Sequence, residues 1–247
     1  MASMIVIWCV IAGCASRVQT PTLPPAPDRL GVSASLEAFA QAKVTAYARS
    51  VSVPSFDLEV WPEAQGLEAT GDGTLQMLVS FAPPPDKWFA TPLGYESIAV
   101  IVDPALPVRN LTLAQLGDLF SGRFESWDAL DGPEKPIQLV IPPQGDGLRE
   151  RFEETVLNGR HFPLTALVAP TPAAMSALVD QTSGAIGFLP ASALPEGARV
   201  VSLDGKTPPP SGPSTPGYAL RFEVIATAPQ EPQGGVRDWL AWLQEQP

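Results

Sequence analysis

The groups in this chain that could take part in chemistry are small polar residues gathered in short loops. They are Ser33 and Ser35 in Ser33-Ala34-Ser35, Gly66 at the end of Pro62–Gly66, Ser80 in Ser80–Ala82, and Gly145, Asp146 and Gly147 within Pro142–Gly147. Hydroxyls and backbone N–H groups left bare by glycine suit reversible capture of a small solute through hydrogen bonds. Bond-making is another matter. One His and two Cys among 247 residues leave few ways to pair a nucleophile with a base or to build a soft-metal site. His161 stands beside Phe162 and Pro163 with no acid–base partner near it in sequence. Glu150, Glu153 and Glu154 read as a solvated helix face rather than a metal cluster. No enzyme, cofactor or metal is expected.

The elements that must hold these loops alternate between strand and helix. Arg29–Val32 reads as an opening strand. Leu36, Phe39, Ala40, Val44 and Tyr47 then recur near the helical period. Phe56–Trp61 and Leu75–Phe81 read as strands, with Pro62–Gly66 as a loop after the first. Ile98–Val102 is apolar throughout, as a strand buried on both faces is, and Ile137–Ile141 reads as another buried strand. Thr112 with Gln115 forms a capping box, and Ser121-Gly122 closes that helix. Leu148, Phe152 and Val156 mark a helix stopped by Asn158-Gly159, and Thr171-Pro172 opens another. Ala185–Leu189, Val200–Leu203 and Ala219–Ala226 complete the strands, and Val236, Trp239, Leu240 and Leu243 share one face of a last helix. This alternation predicts an α/β fold with a largely parallel sheet, in which ligands sit beyond the carboxyl ends of strands.

Charge and the N-terminal stretch narrow the setting. A net charge of −11 excludes a nucleic-acid partner, which needs a basic surface. It also opposes electrostatic docking on anionic lipid. Both cysteines lie near the N-terminus. Met4–Gly13 is an uncharged apolar run too short to span a bilayer but of signal-peptide length. It ends in Ile11-Ala12-Gly13-Cys14, which resembles a bacterial lipobox, although Met1-Ala2-Ser3 lacks the usual basic residue. The expectation is a signal peptide over 1–13, lipidation at Cys14, and a proline-rich tether over 14–28. Such a chain faces outward from a bacterial membrane.

The middle of the sequence resembles the PstS-like phosphate-binding family of solute-binding proteins. Tyr95–Gly132 carries a buried strand, an Asp103-Pro104 turn, the LTLAQLGDLFSG helix and Trp127. Gly184–Phe188 is similar to that family's GAIGY strand, Val201–Gly205 to its strand-then-DG turn, and Tyr218–Arg221 to its YPL-x-R segment. The resemblance implies a two-lobe periplasmic-binding-protein-like fold of type II, with mixed and parallel sheets, flanking helices and hinge strands between the lobes. It places lobe 1 at 29–97 and 190–247 and lobe 2 at 98–189. It also implies a small-molecule or oxyanion ligand, an ABC transporter permease as partner, and a packing role for Trp127; Trp88 reads as structural as well.

The phosphate loop departs from the family. Its Arg-x-x-Gly-Ser-Gly-Thr pattern corresponds to Pro142–Leu148, where Pro142 replaces the arginine, Asp146 the serine and Leu148 the threonine; Gly145 and Gly147 are kept. A second unit negative charge ~4 Å from Asp146 would be repelled by about 4 kcal/mol at an effective dielectric of ~20. Asp146 is at the same time well placed to cap the helix from Leu148, filling the anion site with the protein's own side chain, and the two roles are compatible. Arg149 reads as a helix residue facing solvent. The function implied is an extracytoplasmic solute-binding lipoprotein resembling the phosphate-binding subunit of an ABC transporter. The loop and the Pro-rich stretch Thr207–Gly217 leave a surface sensor or scaffold as the alternative.

Overall fold

The computed structural model describes residues 28–51, 56–211 and 217–246. The expected signal peptide, Cys14 and all of the tether before Asp28 lie outside the described residues. Among the described residues no helix is long and apolar enough to cross a membrane.

Among the described residues ten strands form one curled mixed sheet in the order β2-β1-β3-β10-β4-β8-β6-β7, with β5 and β9 off this path. The first part joins β1 (Asp28–Ser33), β2 (Phe56–Trp61) and β3 (Met77–Ser80), with β1 parallel to both neighbours. Helices α1 (Glu37–Ala48) and α2 (Glu63–Gly71) connect them. Here the structure corrects the sequence reading. Pro62–Gly66 is not a loop: Pro62 is the N-cap and the helix begins at Glu63. Gly66 lies inside the helix because α2 packs tightly on β3; a Cβ there would come within 2.8 Å of Leu78 Cδ1.

A single long strand, β4 (Phe89–Val102), joins this part to the rest. Its first half pairs with β10 (Arg221–Ala228) and its second half with β8 (Ala185–Pro190), antiparallel in both cases. Only Ile98–Val102 was legible as strand, because Pro92 and Gly94 interrupt the first half and a bulge lies opposite them, between Val224 and Ile225. β10 is antiparallel to β3 as well, so the sheet is mixed rather than largely parallel. Beyond β8 come β6 (Gln138–Ile141) and β7 (Leu167–Val168), parallel to one another. β9 (Val200–Leu203) pairs with Val100–Ile101 of β4 and with β5 (Asn110–Leu111).

Helix α3 (Leu113–Phe120) carries the capping box expected at Thr112 and Gln115. Helix α4 (Gly147–Phe152) runs on into a π-helical turn at Glu153–Leu157 and stops at Asn158, whose φ of 50° is left-handed. Thr171 caps α5 (Pro172–Gln181), and α6 (Gly234–Gln244) ends the chain's described fold. What fixes α4 on the sheet is aromatic. Phe152 stacks on Phe188 of β8, 3.7 Å between centroids, and meets Phe120 of α3 edge-on at 5.0 Å. Trp127, fully buried, donates its indole N–H to the Gly184 carbonyl, confirming it as a packing residue.

Phe152→Ala is expected to destabilise the protein by about 3–5 kcal/mol, the range for truncating a buried aromatic. Urea or guanidinium unfolding measures this; a loss below 1 kcal/mol would contradict the anchoring role given to Phe152.

Candidate functional site

Four strand ends, far apart in sequence, bring their loops together. β1 ends at Ser33, β2 leads into Glu63, β3 ends at Ser80, and β6 leads into Asp146 and Gly147. The contacts at the meeting point are between the loops themselves. Ser35 donates its hydroxyl to Asp146, 2.9 Å from Oδ2 and 3.1 Å from Oδ1. Asp146 Oδ1 accepts the Leu148 N–H at 2.9 Å, which is the helix cap expected from the sequence. Glu63 reaches across from α2 and accepts the Gly147 N–H at 2.9 Å.

Both carboxylates are out of water, Glu63 6% and Asp146 7% exposed. The Glu63 carboxylate lies flat against the Gly147 backbone, where a Cβ would sit 2.5 Å from Oε1 and 2.7 Å from Oε2. Glycine at 147 is therefore a steric requirement of this contact. Among the described residues, Glu63 Oε1 and Ser33 Oγ are buried without a hydrogen-bond partner.

Burial raises the Glu63 pKa to about 7; the Gly147 N–H opposes the shift, while the nearby charges of Asp146 and Glu150 add to it. Burial also raises Asp146, against the Ser35 hydroxyl, the Leu148 and Arg149 N–H groups and the Arg149 charge, which lower it. Arg149 does not turn into the site. It donates to the Pro142 carbonyl, pairs with Glu153 and lies over the Phe162 ring. Beside Ser35 and Asp146, toward the start of α5 and the end of β8, a space of about 10 Å³ is bounded by Pro142, Leu148, Thr171 and Phe188 among others; Glu63 does not line it. That is barely room for one water. A larger groove of about 550 Å³ lies elsewhere, between α1, β4 and α6.

The sequence candidates thus divide. Ser35, Asp146 and Gly147 meet in one hydrogen-bonded cluster. Ser33 is buried at the same strand end. Ser80 accepts the Ala82 N–H and shapes its own turn. Gly145 turns the loop with a φ of 79° and open space around it, and Gly66 serves helix packing. Leu148 points into the core at 1% exposure. Sequence reasoning missed Glu63; its signal was an acidic residue directly after Pro62 at a strand end, where a helix N-terminus is favoured. Among the described residues no group of three or more His, Cys, Asp or Glu is placed to hold a metal ion.

The chain matches the family described as PBP superfamily domain over residues 29–243. It is 25% identical over 203 residues to the phosphate-binding protein PstS of Bacillus subtilis, covering 78% of this chain and 67% of that one. Among solved structures it resembles a Clostridium perfringens protein described as a phosphate ABC transporter substrate-binding protein, solved with bound phosphate. The TM-score is 0.76 at 20% identity, over 89% of this chain and 93% of that one. An ABC-type phosphate transport receptor from Vibrio cholerae matches with a TM-score of 0.66 at 17% identity, over 89% and 94%. The type II binding-protein fold expected from the sequence is the fold observed.

A raised carboxyl pKa makes the folded state the tighter proton binder, so this contribution to stability is lost as pH rises from the ordinary Glu range through about 7. Glu63→Gln cannot lose it. Between pH 5 and 8 the wild type is expected to fall relative to Glu63→Gln by on the order of 2–3 kcal/mol, read from denaturation curves at each pH. Parallel pH profiles for the two proteins would contradict the burial of a titrating Glu63.

Proposed function

This chain belongs to the PBP superfamily, and on that footing we propose that it is an extracytoplasmic solute-binding lipoprotein of PstS-like type, working with an ABC transporter permease. Two lobes, 29–97 with 190–247 and 98–189, close on a small oxyanion or other small solute. The lipid anchor is Cys14, reached through the proline-rich tether. The relatives support the receptor role, being named for phosphate binding and transport rather than for catalysis.

The observation that carries the reading is the convergence of the four strand-end loops on the N-terminal amides of α4, with Ser35 and Glu63 approaching from the side of β1 and β2. That is where an α/β sheet binds ligands. β4 pairs with β10 along its first half and with β8 along its second, and so serves as a hinge strand between the two parts of the sheet. Tyr218 fixes the crossing: its hydroxyl donates to the Ile98 carbonyl at 2.7 Å. The ligand contacts we assign are Ser33, Ser35, Ser80, Gly145, Asp146 and Gly147, with Gly66 supporting α2 from behind. Asp146 argues against tight capture of a phosphate dianion in its present state, since that ligand would face a buried carboxylate.

A thermal-shift screen across oxyanions and small neutral solutes tests the receptor reading. A true ligand at ~100 times its Kd should stabilise the fold by about 2.7 kcal/mol. Asp146→Ser, which keeps a helix cap and removes the charge, should strengthen the response to inorganic phosphate. No stabilisation of either protein by any solute would remove the receptor reading.

A further inference from the structure

Glu63 holds a position that capture of a solute does not explain. It is more than nine-tenths buried, leaves Oε1 without a partner, and spends Oε2 on an amide of the loop opposite. With Asp146 it occupies the first amides of α4, its two oxygens lying where a Cβ on Gly147 would be. Any solute must displace the Glu63 carboxylate before it can reach the Gly147 N–H.

We propose that Glu63 decides which solutes enter this cleft: ionised, it occupies the Gly147 amide as an internal anion and excludes oxyanions; protonated, it yields that amide and donates its own O–H to the incoming anion. One proton from solvent is then taken up with each oxyanion bound. The inference rests on the receptor reading above and names the chemistry of that same site.

The charges around Glu63 agree with this. From α4, Asp146 and Glu150 face it and repel its ionised form. From the turn after β3, the Ala82 backbone N–H favours the ionised form, as does the Gly147 N–H. From its own helix, the N-terminus of α2 favours the charge. The Arg149 guanidinium is committed to the Pro142 carbonyl and Glu153, and acts on Asp146 only by its charge. Among the described residues Glu63 makes no ion pair. Its charge is thus held by one hydrogen-bonded backbone N–H, with weaker help from a second and from a helix end, against burial and two carboxylates, which leaves it switchable near neutrality.

Sulfate is the clean probe, because it does not titrate in this pH range. For the wild type, calorimetry should show sulfate affinity falling about 30-fold from pH 6 to pH 8.5, as the competent protonated fraction shrinks. Glu63→Gln, neutral at every pH, should bind sulfate at pH 8.5 about as well as the wild type at pH 6, with less than about a threefold change across the range. A readout that needs no variant is the dependence of the wild-type binding heat on buffer ionisation enthalpy, which should report close to one proton taken up per sulfate at pH 8. Sulfate binding by the wild type that is independent of pH would overturn the proposal, as would identical pH profiles in the two proteins. If both proteins ignore sulfate yet a neutral solute stabilises both equally, the proposal falls and the receptor reading stands. If no solute stabilises either, the receptor reading itself falls and takes the proposal with it.

Discussion

The structure turns on one constraint: two carboxylates removed from water must be held by whatever the surrounding loops offer. Asp146 and Glu63 are held almost entirely by backbone N–H groups and one hydroxyl, not by a cation. A buried charge held that way is stabilised only if several donors converge on it with good geometry. The donors come from the start of α4 and from Ser35, and Glu63 itself comes from α2. The charge therefore demands that segments more than eighty residues apart stay in register. The ligand loop and the fold are held by the same contacts.

The scaffold behind the loops is built to keep that register. Phe120, Phe152, Phe162 and Phe188 form a continuous aromatic group under α4, so the helix whose first amides serve the cleft cannot drift. At the turn after β4, Asp103 accepts the Gly184 N–H and pairs with Lys135, and Trp127 closes on the Gly184 carbonyl. Gly184 tolerates this crowding only because it has no Cβ; one would lie 2.2 Å from the Pro136 carbonyl. On the opposite side Glu96 of β4, fully buried, accepts the Ser192 N–H and the Ser211 hydroxyl. Asp103 and Glu96 thus each pin a connection across the sheet by accepting a backbone N–H from a distant segment.

How much of this was legible in the sequence depends on the range of the interaction that decides it. The cap at Asp146, the capping box at Thr112 and the Thr171-Pro172 start are local, and the residues announce them. The apolar strands Ile98–Val102 and Ile137–Ile141 declare themselves by burial on both faces. The first half of β4 did not, because Pro92 and Gly94 are poor strand residues that only the pairing with β10 makes tolerable. The direction of β10 was also invisible, since side-chain alternation is the same in parallel and antiparallel strands. Glu63 is the instructive miss. Within Pro62–Gly66 it reads as part of a loop; its burial is decided by Gly147, eighty-four positions away.

The central claim is that the cleft of the ligand-free protein is held shut by its own carboxylates. The most direct measurement is hydrogen exchange at the Gly147 and Leu148 amides of the ligand-free protein, followed residue by residue by NMR. Donors to buried carboxylates exchange only through local opening. The account predicts both amides slowed by more than about 100-fold relative to an unstructured chain, alongside the amides of α4 that follow them. Exchange at unstructured-chain rates at these two positions, with the rest of α4 protected, would mean that neither carboxylate is seated and would contradict it.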